Sequence, residues 1–151
     1  MVFLNSVRST RWNFVEVEDG SGWQFQIPEV TEKAQTSEIT RDTHKGIIQV
    51  HTHTPDLFEL YFEIVSYPEK LDHQALIEKQ KPFIEKEFTD VSFSEANTGT
   101  FKNFPTAEFT FESEEKTRRF IYIKDARRSY RVIFNPLSHL NLDVLNSLEQ
   151  R

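Results

Sequence analysis

Residues 103–135 read NFPTAEFTFESEEKTRRFIYIKDARRSYRVIFN, and this stretch decides the fold class. Ala107, Phe109 and Phe111 alternate with polar side chains, which is the pattern of a strand with one buried face. Together with the segment before it, the stretch predicts four strands, at 91–101, 106–113, 117–124 and 129–135. Short polar turns separate these strands. Because such turns join antiparallel neighbours, the sequence predicts an antiparallel meander.

Further strands are predicted upstream, at 23–27, 38–44, 47–54 and 57–67, whereas the polar segment 29–37 is predicted as a loop. A helix is predicted at 72–88, with Asp72 as its N-cap. Its predicted apolar side chains are Leu76, Phe83, Ile84 and Phe88. Ser138 is predicted to cap a second, closing helix. The order strands, helix, strands, helix predicts an α+β fold, a mostly antiparallel sheet of about six to seven strands flanked by two helices.

The composition favours a single domain. The chain has 151 residues, no Cys and 14 Phe, and a chain of this size needs no disulfide to bury a core. We predict an N-terminal extension at 1–11 and one α+β domain at 12–151. The formal net charge of −6 does not favour general nucleic-acid binding. No signal-peptide pattern and no apolar run of a membrane-span length (~18 residues) is present, so a cytoplasmic protein without a membrane partner is expected.

This arrangement resembles the Mog/PsbP-like family of small α/β domains. The resemblance is carried by WQFQIP (23–28), the hairpin before a long helix, the meander at 103–135 and the closing helix, with 104–109 as the closest local match. It covers about residues 12 to 149. Known members include a photosystem oxygen-evolving subunit and a nucleus-associated factor that binds a small GTPase. The resemblance therefore implies protein binding without catalysis, and no functional residue is carried over from it.

His51 and His53 form the most specific local motif of the chain. Residues two apart in a strand share a face, and with Ile48 and Val50 facing the core both histidines are predicted to face outward. If the hairpin matches its apolar faces, Glu59 shares that outward face along with Tyr61 and Glu63. His51, His53 and Glu59 could then bind zinc or a similar ion. The alternative is that these side chains lie on a solvated sheet face or beneath a helix.

A basic segment reverses the acidic charge of the chain. Seven cationic residues and only one acidic residue lie between Lys116 and Arg131. A local excess of this kind indicates a surface for an acidic protein, a phosphate group or a nucleic acid. The candidate partner-binding residues are Arg118, Arg119, Lys124, Arg127, Arg128 and Arg131. The alternative is that cross-strand pairs with neighbouring glutamates absorb the charge.

The sequence lacks the usual catalytic templates. It contains no Gly-rich phosphate loop, no G-x-S-x-G elbow and no H-E-x-x-H motif, and a Glu59–Glu63 acid/base pair is the remaining enzymatic possibility. We therefore expect a non-catalytic protein-binding or assembly module without a cofactor and without a deep polar pocket. A metal-binding protein or metal-dependent hydrolase using His51 and His53 is the alternative.

Overall fold

The computed structural model describes residues 12–29, 31–41, 44–53 and 60–150. In chain order the elements within these ranges are β1 Trp12–Glu16, β2 Trp23–Pro28, β3 Glu32–Arg41, β4 His44–His53, β5 Leu60–Tyr67, α1 His73–Glu87, β6 Ser92–Phe93, β7 Asn97–Phe101, β8 Phe104–Glu112, β9 Thr117–Lys124, β10 Ser129–Phe134, α2 His139–Ser147 and β11 Glu149–Gln150. Eight strands form a large sheet in the order β3-β4-β5-β10-β9-β8, with β6 and β7 each paired to β8. Strands β1, β2 and β11 form a second sheet, and all described pairs are antiparallel. The predicted α+β class is confirmed.

Both faces of the large sheet are covered. Helix α1 lies on one face, while α2 and the three-stranded sheet lie on the other. The alternation is visible on β10, where Val132 and Phe134 join the α2-side core and Ile133 joins the α1-side core. The largest side chains of the α2-side core are Trp23, Phe25, Phe62, Tyr130 and Phe134. Those of the α1-side core are Tyr67, Phe109, Phe111, Phe120 and Tyr122.

The two helices begin close to where the sequence predicts them. Asp72 caps α1, because its Oδ1 accepts hydrogen bonds from the backbone amides of Gln74 at 3.0 Å and Ala75 at 3.4 Å. Ser138 occupies the N-cap position of α2, although its side chain makes no capping hydrogen bond. Phe83 was predicted on the apolar face of α1, and this is wrong: 61% of its surface is exposed.

The sequence prediction is also wrong for the first edge of the large sheet. The polar segment predicted as a loop at 29–37 belongs mostly to β3, which pairs with β4 along its length. An edge strand is held by backbone hydrogen bonds to one neighbour, so it needs no strong apolar alternation. The strand predicted at 23–27 is confirmed as β2, but the three-stranded sheet to which it belongs was not predicted: β1 was missed, and β11 has only two residues and therefore no periodicity.

Neither helix in the described ranges is long and apolar enough to span a lipid bilayer. The predicted N-terminal extension at 1–11 lies outside the described residues.

Candidate binding cleft beneath the first helix

A cleft of about 480 Å³ lies between the second half of α1 and the large sheet. Strand β10 ends at Phe134, and the cleft opens at this end. The neighbouring strands β5 and β9 extend past it and contribute Tyr61 and Arg118 to the same face of the sheet. Its lining residues are Tyr61, Glu63, Gln80, Phe83, Ile84, Glu87, Phe88, Phe111, Lys116, Arg118, Phe120, Arg131 and Ile133. The lining combines charged, polar and aromatic side chains.

A buried ion pair forms one wall of the cleft. Nη2 of Arg131 donates to Oε2 of Glu63 at 3.0 Å, and the two side chains are only 3% and 10% exposed. The Tyr61 hydroxyl donates to the other carboxylate oxygen of Glu63 at 2.8 Å. Nη1 of Arg131 donates to Oε1 of Gln80 on α1 at 3.1 Å. Charges removed from water need such partners, so this network fixes α1 to the sheet as well as shaping the wall.

Tyr61 acts in this network as a hydrogen-bond donor. Burial, together with the charge of the Glu63 carboxylate and the hydrogen bond to it, raises the pKa of Tyr61 above its usual value. The phenol therefore stays protonated across the physiological range. Its proton satisfies Glu63, which leaves that carboxylate fully engaged by Tyr61 and Arg131.

Arg118 connects the polar wall to an aromatic floor. Its guanidinium carbon lies 4.7 Å from the centroid of the Tyr61 ring, and its Nη1 donates to the Thr117 carbonyl at 3.0 Å. The Phe111 ring, opposite Arg118 on β8, lies 5.2 Å from Phe88 and 6.1 Å from Phe120, centroid to centroid. Ring spacings of this size are those of favourable aromatic pairs, so the floor is a packed apolar surface.

Strand alternation distributes the predicted partner-binding residues over separate places. Arg118 and Arg131 line the cleft. Arg119 lies on the opposite face, where its Nη2 donates to Oε2 of Glu108 at 2.7 Å in a pair about one third exposed. Lys124 is the last residue of β9, and Arg127 and Arg128 lie in the turn between β9 and β10.

Asp125 stabilises that turn, because its Oδ1 accepts hydrogen bonds from the backbone amides of Arg127 at 2.8 Å and Arg128 at 2.7 Å. Its Oδ2 accepts from the Trp23 indole at 3.0 Å. Burial alone would raise the pKa of Asp125, but these hydrogen bonds outweigh it and hold the pKa below its ordinary value. A small cavity of about 230 Å³ lies between this turn, Gly20 and Ser21 of the β1–β2 turn, and Gln150 of β11.

The described part of the predicted metal site shows His51 in an apolar setting. His51 pairs with Phe62 and lies 5.4 Å, ring to ring, from Phe25, with only 2% of its surface exposed. Glu63 pairs with Val50 and so faces the other side of the sheet. The matched faces predicted for the hairpin are therefore wrong, since the register brings Glu63 beneath α1 and His51 beneath the small sheet.

Glu59 and the side chain of His53 lie outside the described residues. Among the side chains that the structure does place, no group of three metal-ligating residues occurs. The ion site of His51, His53 and Glu59 stays a prediction.

Sequence reasoning missed Tyr61, Glu63 and Gln80 as parts of one site. Two signals were present in the chain. Gln80 falls three and four residues after Ile77 and Leu76 and four before Ile84, so a polar side chain interrupts the buried stripe of α1. Glu63 and Arg131 are each flanked by apolar residues within a strand, which indicates a buried ion pair.

No protein-family model and no curated protein matches the chain. The resemblance to Mog/PsbP-like domains therefore remains a prediction.

Proposed function

We propose that this chain is a non-catalytic protein-binding module that engages its partner at the cleft beneath α1. The observation that carries the proposal is the composition of the cleft mouth. There the exposed ring of Phe83 and the exposed Lys116 border a cavity that also contains Arg118. Exposed aromatic side chains together with arginine are the groups that most often dominate binding energy at protein interfaces.

The state of the ionisable groups supports a binding role over a catalytic one. A general base needs a free carboxylate or imidazole near its substrate, and Glu63 is engaged by both Arg131 and Tyr61. The raised pKa of Tyr61 keeps its proton on the hydroxyl. Glu63, Arg131 and Tyr61 thus shape and charge the wall of the cleft without offering a proton acceptor, and the other carboxylate of the lining, Glu87, is exposed on α1.

The charges at the cleft support an acidic partner. The cleft lining carries three cations, Lys116, Arg118 and Arg131, and two carboxylates, Glu63 and Glu87. Arg127, on the turn after β9, lies at the opposite end of that strand, on the order of 25 Å from Lys116 for eight strand residues. The cleft and the β9–β10 turn are thus separate candidate surfaces that a single experiment can compare.

Site-specific photo-crosslinking tests the proposal. A photoreactive phenylalanine analogue is placed at Phe83 on α1 or at Phe14 on β1, which are matched in residue type and exposure at 61% and 60%. After irradiation in the source cells, we expect one discrete cross-linked polypeptide with the probe at position 83 and none with the probe at position 14. Absence of a product at position 83, or the same product from both positions, contradicts the proposal.

A further inference from the structure

The small cavity between the β1–β2 turn and the β9–β10 turn is polar throughout. Its lining residues are Gly20, Ser21, Asp125, Ala126, Arg127, Arg128 and Gln150, and none of them has a large apolar side chain. Gly20 has a φ of +75°, and a Cβ atom built there would meet no other atom within 4 Å, so this side of the cavity has open space. The cavity therefore suits a polar ligand.

Asp125, the acidic residue of the lining, is engaged by the protein itself. It is only 6% exposed. Its oxygens accept hydrogen bonds from four donors, the backbone amides of Arg127 and Arg128, the indole of Trp23 and the hydroxyl of Tyr130. None of these donors is a guanidinium, so the two arginine side chains of the lining are not paired with this carboxylate.

Arg128 joins the two turns that enclose the cavity. Its Nη2 donates to the backbone carbonyl of Asp19 at 3.3 Å. The Asp19 carboxylate is itself engaged, since one oxygen accepts from the Ser21 amide at 2.8 Å and the other accepts from the Ser66 hydroxyl. A guanidinium has five N–H donors, so this one bond to a neutral carbonyl positions the Arg128 side chain and leaves its charge beside the cavity.

Arg127 supplies the second cation. Its side chain is exposed, and within the described residues no hydrogen bond or ion pair engages it. Two guanidinium groups and one carboxylate thus line the cavity, which has an excess of positive charge although the whole chain is acidic. A cavity of this kind favours an anion.

The pair of arginines favours a phosphate group over a carboxylate. A carboxylate has two oxygens, which a single guanidinium can bind through two parallel hydrogen bonds. A phosphate monoester has three terminal oxygens and about two negative charges, so it can bind two guanidinium groups at once. Adjacent positions in one turn bring Arg127 and Arg128 to the same cavity.

Volume and lining limit the rest of the ligand. At about 230 Å³ the cavity is smaller than the usual pocket for a drug-sized molecule, which is about 300–1,000 Å³. It lacks an aromatic wall on which a base could stack, and the exposed side-chain amide of Gln150 can both donate to and accept from a hydroxyl group. The group that carries the phosphate is therefore small and hydroxylated.

The geometry points to a binding site for a small hydroxylated phosphate monoester, such as glycerol phosphate or a sugar phosphate. Arg127 and Arg128 bind the phosphate group, and Gln150 binds a hydroxyl of the carrier. This site lies at the opposite end of β9 from Lys116 at the cleft, so it is separate from the surface proposed for the protein partner.

Amide NMR spectra of the whole chain, recorded during titration with glycerol phosphate, test this inference. Shifts are expected at the amides that line the cavity, those of residues 20, 21 and 126–128. Arg127→Gln should weaken binding about tenfold or more, because a charge-assisted contact is lost. Lys116→Gln removes the same charge at the far end of β9 and should leave binding within about twofold. Since the Arg127 side chain is exposed and unbonded in the described structure, the variant should keep the wild-type spectrum elsewhere.

Titrations with inorganic phosphate and with glycerol separate the two parts of the ligand. Each should bind at least about tenfold more weakly than glycerol phosphate. The inference is overturned if the cavity amides do not shift, if glycerol or inorganic phosphate binds as tightly as the ester, or if Lys116→Gln weakens binding as much as Arg127→Gln. A phosphoserine peptide that binds more tightly than glycerol phosphate would overturn the assignment to a small molecule.

Discussion

Two arginine–glutamate pairs lie on opposite faces of the same sheet and differ in their surroundings. Arg131 and Glu63 meet beneath α1 with almost no exposure to water, whereas Arg119 and Glu108 meet at 2.7 Å with about a third of each side chain exposed. A buried pair often contributes no more stability than apolar residues of similar volume. The buried pair beneath α1 is therefore better described as part of the cleft wall than as a gain in stability over apolar side chains.

The largest loss of stability is expected when one partner of the buried pair is removed. Arg131→Met leaves the Glu63 carboxylate buried without its cation, which should lower the free energy of unfolding by about 3–5 kcal/mol. The double variant Glu63→Leu with Arg131→Met should recover most of that loss because both charges are gone. Urea denaturation measures both variants. A single variant that loses less than about 1 kcal/mol would contradict the assigned burial.

Lowering the pH is expected to reduce the free energy of unfolding through a different group, and in a different pH range, on each face of the sheet. On the α1 side, burial lowers the pKa of His73 from 6.5 to about 4. The positive charge of Lys124 also lowers this pKa, and its effect is larger than the opposing effect of Asp72. The folded state thus keeps His73 neutral while the unfolded chain takes up a proton, so the free energy of unfolding should fall as pH drops from 6.5 towards 4. On the α2 side the pKa of Asp125 is lowered from 3.8, so its contribution is lost only below that pH.

The pH dependence of urea denaturation separates these effects. His73→Gln should flatten the decline between pH 6.5 and pH 4 relative to wild type, with no change in slope above pH 7. Asp125→Asn serves as the control and should leave that window unaltered. An identical decline in wild type and His73→Gln would refute the assignment to His73.

The smallest effect is expected at the exposed pair. Glu108→Gln removes the charge opposite Arg119 while preserving shape, and it should cost only about 0.2–1 kcal/mol because solvent already screens the pair. Raising the salt concentration should reduce the difference further. A loss comparable to that of Arg131→Met would mean that the two faces do not differ as described.

The sequence determines the meander and the main helix because periodicity and capping act locally. The strands at 117–124 and 129–134 and the cap at Asp72 follow from alternation and from a side chain that reaches its own helix. The cleft cannot be predicted from local patterns, because two residues of its wall, Glu63 and Arg131, are 68 residues apart in the chain. Their meeting depends on the β5–β10 register, and the burial of His51 depends on a second sheet of which the sequence predicts only the middle strand, β2.

Charge reversal at two exposed turns tests the central claim most directly. Lys116→Glu alters the mouth of the cleft, and Arg127→Glu makes the same change of charge at the opposite end of β9. Binding to the polypeptide that cross-links at position 83 is measured for both variants. We predict that Lys116→Glu weakens binding by about tenfold or more while Arg127→Glu leaves it within about twofold. The reverse order would contradict the cleft and place the binding surface on the β9–β10 turn.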